Sequence, residues 1–243
     1  KLYQCLEMEK NKDNADEVNG IITEIQHFDY ALNSNNLHYL EAGIKYIVNL
    51  DVDALQLSSQ AKLMLEDLRK DFSDRFIDET AMYPHARMLV KLSQLFTQQG
   101  RYGAAAVSVQ ESIITYIMER YVRTYIMDTE NLNSDEYERY IQQYDKRRPV
   151  KEHFDRKVNA YMSARGKRKA ISDEICRFME LYLNIKNDIR NVDAHIIARE
   201  KVPTSAKMEE WLNKSIAFML KDMNTFIPQS QNNGFAVLYE DFR

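Results

Sequence analysis

The sequence predicts an all-α protein, on three observations. Glycine and proline number only six and four in 243 residues, far too few for the many tight turns of a sandwich or barrel. Leucine, lysine, glutamate and glutamine, which lose little rotamer freedom in a helix, are abundant. Apolar residues recur three and four positions apart over most of the chain, the period of a one-sided helix. A chain of this length can build one large domain, or a compact domain with an appended helical piece.

The elements follow in order. Residues 2 to 8 read as a short strand, and the polar NKDNADEVNG after them reads as a turn leading into a helix from about 17 to 32. NSNN at 33 to 36 punctuates a helical hairpin. The next helix, near 37 to 50, carries Leu37, Leu40, Ile44, Ile47 and Val48 on one face. A third helix is expected over 53 to 76 and a fourth over 80 to 98, with Pro84 in its first turn or kinking it. GRYG at 100 to 103 is the clearest break, and it opens a long apolar stretch from Ala104 to about Met127, read as a core helix.

Ser134 is expected to cap a further helix with Tyr137, Tyr140, Ile141 and Tyr144 at helical spacing. Between Lys146 and Lys169 stand ten Lys or Arg residues and only two acids, Glu152 and Asp155. Ser172 caps a helix that runs through Phe178, Tyr182 and Ile185 up to IRNVDAH, so Arg190 and His195 fall at or just past its C-terminal turns. Thr204 or Ser205 starts a last helix through Trp211, Leu212, Ile216 and Leu220, before a Gln- and Asn-rich tail ending in an extended FAVLY.

Composition excludes several function classes. Cys5 and Cys176 form no CxxC pair, which argues against a zinc knuckle or disulfide scaffold and points to a reducing, cytoplasmic setting. No apolar run reaches the roughly 18 residues of a membrane span, and the charged opening KLYQCLEMEK has no signal-peptide core. The chain opens with Lys1, so it is read as a piece of a longer protein. A net charge of −4 provides no global pull toward nucleic acid, so any RNA contact must come from a local basic patch. His27, His38 and His85 are scattered and lack a second ligand at metal spacing, and neither a metal site nor a cofactor is expected.

Arg190 to His195 spells RNVDAH, an arginine and a histidine five positions apart. With 16 arginines and five histidines, about one such spacing is expected by accident, and Arg148 with His153 is a second instance. Context separates them. Arg190 and His195 end a long amphipathic helix, where both side chains can be aimed into one cleft, whereas Arg148 precedes Pro149 inside the basic stretch. Asn191 beside Arg190 can also hydrogen-bond a phosphate or orient the histidine, which a proline cannot do. Taken alone, His195 reads as a surface or capping residue and Arg190 as a partner of Asp188 or Asp193.

RNVDAH resembles the signature of HEPN domains: arginine, then a polar Asn, Asp or His, then histidine. GRYGAAAVSVQESIITYIMERY resembles the glycine-led helix that precedes it in CRISPR-associated members, and the two segments together span most of residues 100 to 200. The resemblance implies a HEPN-type helical bundle over 81 to 243, preceded at 1 to 80 by a helical connector in which residues 2 to 8 stand as the last strand of a missing sensor domain. It also implies a metal-independent endoribonuclease of type III CRISPR defence. The site is then Arg190, Asn191 and His195, shared across a homodimer, with single-stranded RNA as substrate. Cyclic oligoadenylate would act only through an upstream sensor domain outside this chain. Arg165, Lys167, Arg168 and Lys169 in the basic stretch are expected to guide RNA, against the blander reading of a solvated face. The alternatives are a HEPN toxin outside CRISPR systems and a non-catalytic helical module that binds nucleotides or a protein partner.

Overall fold

The computed structural model describes residues 2–11, 13–34, 37–78, 81–123, 136–137, 141, 152, 156, 180–185 and 203–225. Every regular element among them is helical: α1 (Leu2–Glu9), α2 (Ala15–Ser34), α3 (Leu37–Val48), α4 (Ser59–Phe76), α5 (Pro84–Gln98), α6 (Tyr102–Tyr121) and α7 (Ser205–Thr225). The all-α expectation is met. The chain divides into two compact units, Lys1–Thr80 and Ala81–Arg243.

In the first unit the expected strand at residues 2 to 8 is a helix instead. Leu2 and Leu6 are one turn apart, and α1 lays that face on α2 and α4, so that Leu6 is fully buried. A lone strand would have left its backbone donors unpaired, whereas a helix satisfies them internally. Leu6 joins Val18, Ile21, Ile22, Val52, Leu55 and Leu65 in one core. Asn14, itself buried, supports this packing by donating its amide to the carbonyls of Glu9 at 3.2 Å and Gln56 at 2.8 Å.

The helix expected from residue 53 begins only at Ser59. Residues 50–57 form a tight turn that sinks Val52 and Leu55 into the core. Ser58 then caps α4 by accepting from the Ala61 backbone N–H, and Glu9 at the end of α1 accepts in turn from the Ser58 backbone N–H at 2.9 Å and from its hydroxyl. Those two bonds hold the exposed Glu9 carboxyl below its ordinary pKa. Helices α2 and α3 meet at Gly43, where a Cβ would lie 2.9 Å from the Phe28 ring. Phe28 packs edge-on against Phe72 of α4, with ring centroids 5.0 Å apart.

The second unit is organised around α6. Helices α5 and α6 form a hairpin: Ser93 bonds the Ala105 carbonyl at 2.9 Å near the connection, while Tyr83 packs on Tyr116 at the far end. The connection is a Schellman turn, with Arg101 N–H donating to the Phe96 carbonyl and Gly100 N–H to that of Thr97. Gly100 takes φ +71° there, and the Arg101 guanidinium lies 4.7 Å from the centre of the Phe96 ring. Nothing stands within 4 Å of a Cβ at Gly100, so the strain of a side chain would be purely conformational. Gly100→Ala is therefore expected to cost about 1 kcal/mol, measured as a shift in urea midpoint at constant slope.

Pro84 occupies the first turn of α5, where its missing N–H costs nothing, and no kink is needed. Helix α7 packs on both α5 and α6. Helix α6 is buried on nearly every side, from Ala104–Ala106 through Ile113, Ile114 and Ile117 to Tyr121.

Candidate functional site

A helix that is apolar on all sides must bury whatever charges it carries, and α6 ends in Glu119 and Arg120, both fully buried. Each is matched by a different neighbouring helix.

Glu119 serves α5. Tyr83 stands at the cap position of α5 but makes no side-chain cap bond, and Pro84 has no N–H to offer. The next two N–H groups, of His85 and Ala86, donate to the two Glu119 carboxylate oxygens at 3.3 and 3.0 Å. The Arg87 N–H then makes the first bond within the helix, to the Tyr83 carbonyl. A side chain more than thirty residues away thus does the work usually done by a local Ser or Asp. The Tyr137 hydroxyl donates a third bond to Glu119 at 3.0 Å. Burial nevertheless raises the Glu119 pKa above 4.5, opposed by the electrostatic influence of nearby His85 and by these three donors.

Arg120 faces α7. Its guanidinium stands 3.5 Å from the Asp222 carboxylate and 5.3 Å from the centre of the Tyr116 ring. Tyr116 donates its hydroxyl to Asp222 at 2.5 Å. Burial pushes the Tyr83, Tyr116 and Tyr137 hydroxyls well above the ordinary tyrosine range, so all three stay neutral at physiological pH, Tyr116 and Tyr137 as donors to Asp222 and Glu119. Arg123 lies 4.8 Å from the centre of the Tyr137 ring, and Arg87 on α5 donates to Asn224 on α7 at 2.7 Å. Together these contacts fasten α5, α6 and α7 at one end of the hairpin. Their chemistry is architectural, with each carboxylate engaged by donors and each tyrosine held neutral.

Glu119 and Arg120 fall inside the apolar stretch from Ala104 to about Met127 that reads as a core helix, and its periodicity assigns them no role. The available signal was a charged pair inside ITYIMERYV, where neighbouring apolar residues leave no solvent face. His85 is buried, and His27 is an exposed residue 3.8 Å from Glu24. Among the described residues no group of three or more His, Cys, Asp or Glu side chains is arranged to hold a metal ion, and no helix is long and apolar enough to cross a membrane. Tyr137 and Ile141, which the sequence places at helical spacing, are buried, as are Tyr182 and Ile185.

Arg190, Asn191 and His195 lie outside the described residues, as do Arg165, Lys167, Arg168 and Lys169, the Arg148–His153 pair and the tail from 226 to 243. Arg156, the described basic residue of the stretch from 146 to 169, is exposed on a helical position. Comparison with protein-family models, with curated proteins and with solved structures finds no match for this chain.

Proposed function

We propose that the chain is a metal-independent endoribonuclease of the HEPN type that cuts single-stranded RNA as a cytoplasmic type III CRISPR effector. The carrying observation is RNVDAH at 190 to 195, preceded by the glycine-led segment GRYG that opens α6. Charge supports the same reading. Residues 81–243 hold 25 of the 33 basic and 21 of the 37 acidic residues, a net of +4 within a chain of −4.

RNA contains its own nucleophile. One histidine takes the 2′-hydroxyl proton as that oxygen bonds to phosphorus, and the bond from phosphorus to the 5′-oxygen breaks as that oxygen takes a proton from an acid. An imidazole with an ordinary pKa near 6.5 suits either task at neutral pH. The guanidinium of Arg190 offers a planar fork for the phosphate oxygens, with Asn191 as a further donor to them or a brace for His195. The products are a 2′,3′-cyclic phosphate, opening to a 3′-phosphate, and a 5′-hydroxyl. Cyclic oligoadenylate would regulate the site through a sensor domain upstream of this chain.

Labelled RNA incubated with the protein in excess chelator tests the proposal. Cutting that leaves a 5′-hydroxyl and is lost in His195→Ala supports it. An absolute need for magnesium or manganese, or full activity in His195→Ala, would sink it. The basic stretch is assigned affinity and not chemistry. Neutralising Arg165, Lys167, Arg168 and Lys169 together is expected to weaken RNA binding and flatten its dependence on salt, by up to about one unit of slope per lost phosphate contact. An unchanged slope in a salt titration would assign that segment to solvent.

A further inference from the structure

The first unit carries a surface of a different kind. Residues 1–80 hold eight Lys and Arg against sixteen Asp and Glu, a formal charge of −8. On this unit α1, α2, α3 and α4 line an open groove of about 650 Å³. Four of its lining residues are aromatic, Tyr3, Phe28, Tyr30 and Phe72; Asp29 is its one charged residue, and no Lys or Arg lines it.

The aromatic residues are differently placed. Phe28 and Phe72 pack edge to face at 5.0 Å, and Phe28 is held from behind by the close approach of Gly43. Tyr3 and Tyr30 are exposed, at 42% and 69%. The Tyr3 hydroxyl accepts a hydrogen bond from Gln26 at 3.2 Å, which restricts where its ring can lie. Tyr30 has no such restraint among the described residues, and Asp29 forms no ion pair there.

Large exposed aromatic side chains beside an apolar groove mark an interaction surface, and the charges decide what it takes. Ring faces carry negative quadrupole potential and attract cations. A carboxylate without a partner adds to that attraction, and the −8 charge of the unit repels anions, nucleic acid included. The groove is far larger than one ammonium or guanidinium group requires, in the range of pockets that enclose drug-sized ligands.

We infer that this groove on the N-terminal unit binds a basic protein segment, seating an arginine side chain of the partner against Tyr3 and Tyr30 with Asp29 as counter-ion. Arginine fits better than lysine because its planar guanidinium stacks on rings and is the more weakly hydrated cation. The apolar floor accepts the aliphatic stem.

Fluorescence anisotropy on the whole chain tests this with a labelled nonapeptide of three arginines spaced by glycine and serine, beside the same peptide with citrulline at each arginine. Citrulline keeps the shape and removes the charge. The arginine peptide is expected to saturate the protein and the citrulline peptide to bind at least about tenfold more weakly. Tyr30→Ala and Asp29→Asn are each expected to weaken the arginine peptide several-fold. Asp53→Asn removes the same charge at an exposed residue that does not line the groove and should change binding little. Equal binding of both peptides would make the groove an apolar site without charge selection and overturn the inference. So would failure of the arginine peptide to bind, or an equal effect of Asp53→Asn and Asp29→Asn, which would reduce binding to diffuse attraction by the acidic unit.

Discussion

Mixed dimers that pair one wild-type subunit with one Arg190→Ala, His195→Ala subunit are expected to lose nearly all RNA cutting. The reason lies in proton bookkeeping. Attack by the 2′-hydroxyl needs a base at the nucleophile and an acid at the departing 5′-oxygen, and one copy of RNVDAH offers a single imidazole. In the proposed homodimer a two-fold axis would supply the second, and closed two-fold dimers are the commonest soluble assembly. Removing a positioned general acid or base costs on the order of 10²- to 10⁴-fold, so a shared cleft lacking one histidine and one arginine should fall at least that far. Mixed dimers purified through two different tags, checked by sedimentation and assayed in chelator, measure it. Retention of about half the activity would mean that each chain works alone, as would RNA cutting by a monomer.

Glu119→Ala is expected to destabilise the second unit by about 3 kcal/mol, or about 10 °C in Tm for a unit of this size. It strips the buried N–H groups of His85 and Ala86 of their acceptor and leaves the Tyr137 hydroxyl without its bond to Glu119. Glu119→Gln should cost less, because its carbonyl oxygen still accepts while its amide turns a donor toward one of those donors. The two variants separate lost bonding from lost charge.

Glu119 also makes a pH prediction. Its folded pKa is raised above the ordinary 4.5 by burial, so in the window above 4.5 the folded state binds more protons than the unfolded state. Its stabilising contribution is then fully present below the unfolded pKa and is lost as pH rises through the folded pKa. The Tm advantage of wild type over Glu119→Gln should therefore widen as pH falls from 7 toward 4.5, read by calorimetry on both proteins in the same buffers. An advantage that narrows on acidification would show that the carboxylate form is the better cap.

Much of the fold is legible from local signals. The apolar period of LHYLEAGIKYIV corresponds to α3, Pro84 sits in the first turn of α5, and Gly100 stops α5 where GRYG breaks the pattern. These succeed because a 3.6-residue period, a residue without an N–H and a residue tolerant of positive φ act within one or two turns of chain. The catalytic proposal has a different footing, in the letters of RNVDAH and the segment that leads to them.

The helical class, and the positions of most helices among the described residues, therefore follow from local sequence signals. Tertiary structure alone decided that residues 2–9 form a helix, since the burial of Leu6 against α2 and α4 outweighs the ambiguous local preference of LYQCLEME. It decided that α4 starts at Ser59, since the core takes Val52 and Leu55 from a turn. It also decided that Glu119 caps α5 and that Tyr3, Asp29 and Tyr30 share one groove. Each of these depends on residues brought together from distant parts of the chain, and periodicity and capping rules carry no information about such meetings because they extend only a few residues along it.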